Sequence, residues 1–332
     1  MTDEHSAGWQ AKLVESYGFP ADTVVEPRRP GRHVIRPVRA GGRRFLLKAV
    51  PMETGTVTRL HWQLGYQRHL ACRGGPAARP FERCDIPGEM QVAHPFEGLG
   101  ALYEHLPGRP CQATPHDAEA AGRALATLHR LSDGYGDAGG APAGERDDLV
   151  DGPVRTVRDY LGGRMPDGIG ELAGRLGGWL DRLPREPGAF GLCHGDSHHE
   201  NAFIDEEGRV RYFDFEHAAR TWRAYDLATF IWNTFRLDRG TPVWNGFMGG
   251  YAGIRPLSVT EAAWIRPFLV VRQFWWLGFT VEGTTRESGS LRRLVDDGLA
   301  FALRLAQDLD VHAVLAGVGA GAGAGAGVED TA

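Results

Sequence analysis

The side chains able to do chemistry in this 332-residue chain concentrate in two short stretches. The first is His194-Gly195-Asp196-Ser197-His198-His199-Glu200-Asn201, and the second, thirteen residues after Asn201, is Asp214-Phe215-Glu216. An acid, an amide five residues on, and a second acid in an apolar strand converge on one point when a hairpin joins them. Phosphoryl transfer needs such a set: a carboxylate to orient the attacking hydroxyl, and oxygen ligands to hold Mg²⁺ on nucleotide phosphates. Asp196 would orient the hydroxyl, and Asn201 and Asp214 would hold the metal. Asp214 stands between Phe213 and Phe215, where an unpaired carboxylate is costly, so a metal or a partner is expected. Glu216 reads equally as a further metal neighbour, an acceptor-site carboxylate or an exposed turn residue.

Two other features bear on this chemistry. His194, His198 and a nearby carboxylate are a formal zinc set, but the motif offers an amide where zinc prefers nitrogen or sulfur. Hydrogen bonds that organise the loop are the better reading for both histidines; His199 has no assigned role. Lys48 lies in the apolar run Arg44-Phe45-Leu46-Leu47-Lys48-Ala49-Val50, and only it and Lys12 are lysines among 37 basic residues. An ammonium in such a strand calls for an anion.

The combined pattern His194-Gly195-Asp196-x-His198-x-x-Asn201 and Asp214-Phe215-Glu216 resembles the aminoglycoside phosphotransferase and choline kinase family. The similarity runs over roughly residues 25–310. It takes in Leu106-Pro107-Gly108, Leu125-Ala126-x-Leu128-His129 and Trp222-Arg223-Ala224-Tyr225-Asp226-Leu227-Ala228. The resemblance implies an α+β, two-lobed protein-kinase-like fold with a small antiparallel-sheet N-lobe and a larger, mainly helical C-lobe. It implies a kinase that uses ATP and Mg²⁺ to phosphorylate a hydroxyl of a small molecule. The acceptor would be an aminoglycoside or other antibiotic, or an amino alcohol. Alternatives on the same fold are a homoserine-type or protein serine/threonine kinase, or a catalytically weak nucleotide-binding regulatory module. Lys48 would contact the α/β-phosphates, Asp226 would brace the catalytic loop, and the backbone of Glu104, His105 and Leu106 would meet the adenine edge. Backbone recognition leaves ATP and GTP undistinguished. The family's lysine pairs with a helix glutamate, and here Gln63 occupies that position, with Glu53 as another source of a carboxylate. The segment Arg28 to His33 takes the place of a glycine-rich phosphate loop.

Stepping outward, residues 1–108 read mostly as strands and turns. His33–Val38 and Phe45–Val50 flank Ala40-Gly41-Gly42, a hairpin signal. A helix is expected over Val57–Cys72, ended by Gly74-Gly75, then a second hairpin from Gln91–Phe96 and Ala101–Leu106. Past Pro107-Gly108 the pattern turns helical. Thr114-Pro115 reads as an N-cap before a stripe of Ala118, Ala121, Leu125 and Leu128. Residues 132–153 read as a surface loop, Arg155–Leu183 as helix, and Leu192–Cys193, Ala202–Ile204 and Val210–Phe213 as short strands. Helices dominate from Trp222, where Trp222, Tyr225, Trp232, Trp244, Phe274, Trp275 and Trp276 could line an acceptor site, most of them reading as core. The expected division is 1–108 for the nucleotide lobe with hinge, 109–312 for the helical lobe, and a disordered Gly/Ala-rich tail at 313–332.

Composition narrows the classes further. The net charge is −5: residues 1–108 carry 14 basic and 11 acidic side chains, and the remainder 23 and 31. A basic nucleic-acid binder is disfavoured, and the −8 of the second part suits a cationic acceptor. Four cysteines without a C-x-x-C pair exclude a disulfide scaffold and a zinc ribbon. The apolar stretch Phe268–Val281 is interrupted by Arg272 and Gln273, which favours a buried helix over a membrane span. No signal-peptide pattern opens the chain, so a cytoplasmic location is expected.

Overall fold

The computed structural model describes residues 4–29, 33–53, 55–136, 140–236, 240–284 and 289–317. In chain order its elements begin α1 (Glu4–Tyr17), β1 (Val24–Val25), β2 (Val34–Ala40), β3 (Arg43–Val50) and α2 (Thr56–Cys72). Then come β4 (Gln91–His94), β5 (Gly98–Glu104), β6 (Arg109–Pro110), α3 (Pro115–Ser132), α4 (Gly152–Tyr160), α5 (Ile169–Arg182) and β7 (Phe190–Cys193). They are followed by β8 (Ala202–Ile204), β9 (Val210–Tyr212), β10 (Ala219–Trp222), α6 (Arg223–Arg236) and α7 (Gly240–Ala252). The last are α8 (Val259–Glu282), α9 (Gly289–Asp308) and α10 (Val311–Gly317). Two compact units emerge: Met1–Pro142 with His199–Ala218 and Asn245–Arg255, and Ala143–His198 with Ala219–Trp244 and Pro256–Ala332. The stretch from His194 to Asn201 is therefore divided between them after residue 198.

In the first unit an antiparallel sheet of order β1-β2-β3-β5-β4 forms the frame. Alternation along β3 buries Phe45, Leu47 and Ala49 on one face with Trp9 and Leu13 of α1, Val38 and Leu102. Each large apolar side chain so buried contributes about 1.5–3 kcal/mol. The opposite face packs Leu99, Ala101 and Tyr103 with Leu60 and Leu64 of α2. Lys48, out of phase with the apolar set, shares that second face. Gly98 has φ 86, and a Cβ there would lie 2.0 Å from the Val50 carbonyl oxygen, so the β4–β5 turn requires glycine. The front is not all strands and turns: α1 is helical because Trp9 and Leu13, four residues apart, bury together on the sheet.

In the same unit β8 and β9 form a hairpin with Ala202 opposite Tyr212, and β6 joins it along β8. Thr114 caps α3 through the Asp117 N–H, with Pro115 at its first position.

The second unit is built on α8, a 24-residue helix opened by a Ser258–Glu261 capping box. The polar pair Arg272-Gln273 within α8 is fully buried and hydrogen-bonded. The segment 132–153, expected to be loop, carries a π-helical turn at Asp147–Asp151 that buries Leu149 and Val150. Residues 155–183 form two helices, parted where Gly162, Gly163 and Gly168 adopt positive φ. The tail expected to be disordered from 313 begins in α10; residues 318–332 lie outside the described residues. No helix among the described residues is long and apolar enough to cross a membrane.

Candidate active site

The first unit holds a charged cluster assembled from β2, β3 and the segment after β9. The Phe213 N–H donates to the Asn201 carbonyl at 3.0 Å, closing the hairpin one step beyond its last strand pair. Asn201 and Asp214 thus leave the same end of the hairpin. Asp214 then takes φ 64 and ψ 61, a left-handed conformation that Asp reaches more readily than most residues and that costs of order 1 kcal/mol. That turn aims its carboxylate at Lys48, whose Nζ donates to Asp214 Oδ1 and, at 3.3 Å, to Glu216 Oε2.

Glu216 is the hub of the cluster. Its other oxygen lies 3.2 Å from His33 Nε2 and 3.3 Å from His217 Nε2, and its carbonyl accepts from Arg59 Nη2 at 2.9 Å. Burial pushes the Glu216 carboxyl upward, but hydrogen bonds to His217 and His33 and the Lys48 charge outweigh it. They hold the group well below the usual carboxylate range. Burial, with the nearby Asp214 and Glu216 charges, pushes the Tyr103 hydroxyl far above its ordinary value. Gln63 does not serve Lys48: its amide donates at 3.3 Å to Gln67 Oε1, which also accepts from Tyr103. Glu53, in the loop before α2, is exposed and makes no contact with Lys48 either. The lysine's carboxylates come instead from the segment after β9.

At the hinge, the Glu104 and His105 N–H groups already donate to the Arg79 and Arg44 carbonyls, at 3.2 and 3.4 Å. The Leu106 N–H has no hydrogen-bond partner among the described residues. Of the segment Arg28 to His33, residues 30–32 lie outside the described residues.

The second unit holds the Asp196 loop. β7 pairs with β10, Cys193 opposite Ala219, and the chain then turns through Gly195 at φ 78. Asp226, fully buried in the first turn of α6, accepts the His194 N–H at 2.7 Å and the Gly195 N–H at 2.8 Å. Its own carbonyl accepts from the Ser197 hydroxyl at 2.8 Å. His194 Nδ1 accepts the Asp196 N–H at 3.2 Å, and His198 Nε2 lies 3.3 Å from Asp196 Oδ2. Both histidines thus lie within hydrogen-bonding reach of Asp196 inside this loop.

Arg272 was not singled out as functional by the sequence, although its charge inside an apolar helix was the available signal. Its Nη2 donates to Asp196 Oδ1, and its Nη1 to the Gly195 carbonyl and the Tyr225 hydroxyl, each at 3.3 Å. The guanidinium carbon lies 4.3 Å from the centre of the Trp275 ring. Burial alone would lower the Arg272 pKa; the Asp196 charge raises it instead. Burial pushes the Tyr225 hydroxyl up to about 12. Of the aromatic residues weighed as an acceptor wall, Trp222, Tyr225, Trp232 and Phe274 are core, while Trp244, Trp275 and Trp276 are partly exposed.

The model of the phosphotransferase enzyme family matches residues 36–263. This chain belongs to that family. The phosphotransferase is 32% identical over 284 residues to an uncharacterized protein of Deinococcus radiodurans, covering 83% of this chain and 82% of the relative. Its fold is that of the amicoumacin kinase hAmiN, solved with AMP-PNP, Ca²⁺ and Ami (TM-score 0.74, 18% identity, 91% and 93% of the two chains). It is likewise that of a microcompartment-associated aminopropanol kinase (TM-score 0.73, 18% identity, 94% and 98%). The protein has the α+β, two-lobed protein-kinase-like fold, and its family is one of phosphotransferase enzymes.

Proposed function

We propose that this phosphotransferase moves the γ-phosphate of ATP to a hydroxyl of a small amine-bearing molecule, an amino alcohol or an aminoglycoside-type antibiotic. The observation that carries the reading is Lys48 held by Asp214 and Glu216 at the end of the β8–β9 hairpin. An ammonium on a carboxylate already aimed at a cation is what a site for a metal-bound phosphate chain requires. The donors fit Mg²⁺: the Asp214 carboxylate and the Asn201 amide are hard oxygen ligands, and Asp214 already carries the positive Lys48 ammonium as its partner. When bound there, Mg²⁺ neutralises charge on the β- and γ-phosphates.

Lys48 binds the α/β-phosphates, and the Leu106 N–H, in the Glu104–Leu106 hinge, takes the adenine edge. Asp196 accepts a hydrogen bond from the acceptor hydroxyl and turns its lone pair toward phosphorus. The bond from acceptor oxygen to the γ-phosphorus forms as the bond from phosphorus to the bridging oxygen of ADP breaks. The hydroxyl proton passes to Asp196, and the products are a phosphomonoester and ADP. The acidic balance of the second part of the chain and the aminopropanol kinase likeness support a cationic acceptor. The reaction belongs in the cytoplasm, where nucleoside triphosphate is supplied and the four free cysteines remain thiols.

The test is to incubate the protein with Mg-ATP and pools of amino alcohols, aminoglycosides and homoserine, and to search by mass spectrometry for a phosphorylated product. A product gain with an amine-bearing acceptor, reduced about 10²–10⁴-fold in Asp196→Ala, is expected. Phosphorylation of homoserine or of protein serine alone would replace the acceptor class. Full activity of the Asp196→Ala enzyme would remove that residue from the mechanism.

A further inference from the structure

We infer that Arg272 is a positioning residue for the transfer, fixing the plane of the Asp196 carboxylate relative to the loop backbone that carries it. The inference rests on the reading of Asp196 given above and goes beyond it by assigning a helix α8 residue to the reaction.

The geometry distinguishes this arginine from an ordinary structural ion pair. Its side chain is 3% exposed, so it is not a solvated surface partner. One nitrogen, Nη2, takes Asp196 Oδ1, while Nη1 takes the carbonyl of Gly195, the adjacent residue, and the Tyr225 hydroxyl. The two prongs therefore bind both the side chain that would receive the hydroxyl and the backbone that carries it. A guanidinium is planar and its donors are fixed relative to one another, so two such bonds set the carboxylate plane. The Trp275 ring at 4.3 Å and the Trp232 ring at 5.4 Å confine the guanidinium. The other oxygen, Oδ2, lies 3.3 Å from His198 Nε2. A hydroxyl approaching the carboxylate meets an acceptor that is already oriented, with little freedom left to lose.

The positively charged and titratable groups that meet Asp196 come from three elements: Arg272 from α8, His198 and His194 from the loop itself, and Tyr225 from α6 through Arg272. Arg272 bonds both the carboxylate and the backbone. Its loss removes the tie between Oδ1 and the Gly195 carbonyl.

The experiment is a double-mutant cycle with Asp196→Asn and Arg272→Gln, with Arg272→Lys alongside, measured on the acceptor found above. Arg272→Gln is expected to lower kcat about 10²-fold, with KM for ATP changed less than about twofold. Arg272→Lys restores the charge but not the fork, and recovers part of the loss. Adding Arg272→Gln to Asp196→Asn is expected to cost nothing further, because the positioned carboxylate is already gone. Where Arg272→Gln does not fold by circular dichroism, the Lys variant and the double variant, which removes both charges of the buried pair, carry the test. An Arg272→Lys enzyme with the parent's kcat, or a double variant whose loss is the product of the single losses, overturns the inference. If the parent phosphorylates an acceptor and these results fail, only the Arg272 role falls. A parent that phosphorylates nothing withdraws the functional reading and this role together.

Discussion

The two charged clusters differ in how they hold their acids. At the hairpin end, one flexible lysine with a side chain 15% exposed bridges Asp214 and Glu216, and two histidines close on Glu216. At the Asp196 loop, a guanidinium 3% exposed and the buried Asp226 carboxylate hold side chain and backbone together. Lysine is a mobile point charge and arginine a rigid fork. On the function proposed above, the first cluster would exchange partners when an anionic ligand arrives, and the second would keep them through the reaction.

The largest expected effect comes from emptying the exchanging cluster. Asp214→Ala removes the carboxylate proposed for the metal, and kcat with Mg-ATP is expected to fall at least about 10³-fold. A steady-state assay of ADP release checks this, and a loss below tenfold would move the metal site elsewhere. Next is the rigid cluster. Asp226→Asn gives one of two backbone N–H groups an amide donor to face, costing about 1–3 kcal/mol of stability. Its kcat is expected to drop about 10²-fold while the thermal shift given by Mg-ATP persists. If that shift vanishes, the two clusters are not separable in this way.

Gln63 sharpens the comparison because its position is the one the sequence reads incompletely. The motif from His194 to Glu216 was legible since its chemistry is contiguous and its hairpin is short. The source of the Lys48 partner was not, because Gln63 bonds to Gln67 and the carboxylates arrive 166 and 168 residues later. Arg272 was hidden for the same reason: 76 residues separate it from Asp196, and only tertiary packing joins them. The hairpins and α2 followed from glycine placement and periodicity. Helix α1 did not, because its apolar stripe is little more than Trp9 and Leu13. The Leu149-Val150 pair was masked by the Gly, Asp and Pro around it.

A smaller effect tests Glu216 itself. Glu216→Gln removes one of the two charges on Lys48, and KM for ATP is expected to rise about tenfold with a smaller change in kcat. An unchanged KM would mean that Asp214 alone suffices for Lys48.

The smallest effect lies outside both clusters, at the start of α3. Two hydrogen bonds from Arg109 hold the buried Asp117 carboxyl at about 2, below its ordinary 3.8, against a burial cost and with help from the Gln112 N–H. A depressed carboxyl stabilises the fold above pH 3.8, and that contribution fades as pH falls toward 2. Arg109→Met is expected to be less stable near neutrality and to unfold at a higher pH than the parent in an acid titration. Below pH 2 the two curves should meet; a constant offset at all pH values would assign the loss to packing.

The β8–β9 hairpin has a practical consequence. Its tip, residues 205–209, is mostly exposed and closed by the Arg209 N–H donating to Asp205, while its other end carries Asn201 and Asp214. A fluorophore grafted at Glu207 would ride on the same two short strands as both residues without touching either. A change in its emission on adding Mg-ATP would report on the hairpin without knowledge of the molecule being phosphorylated.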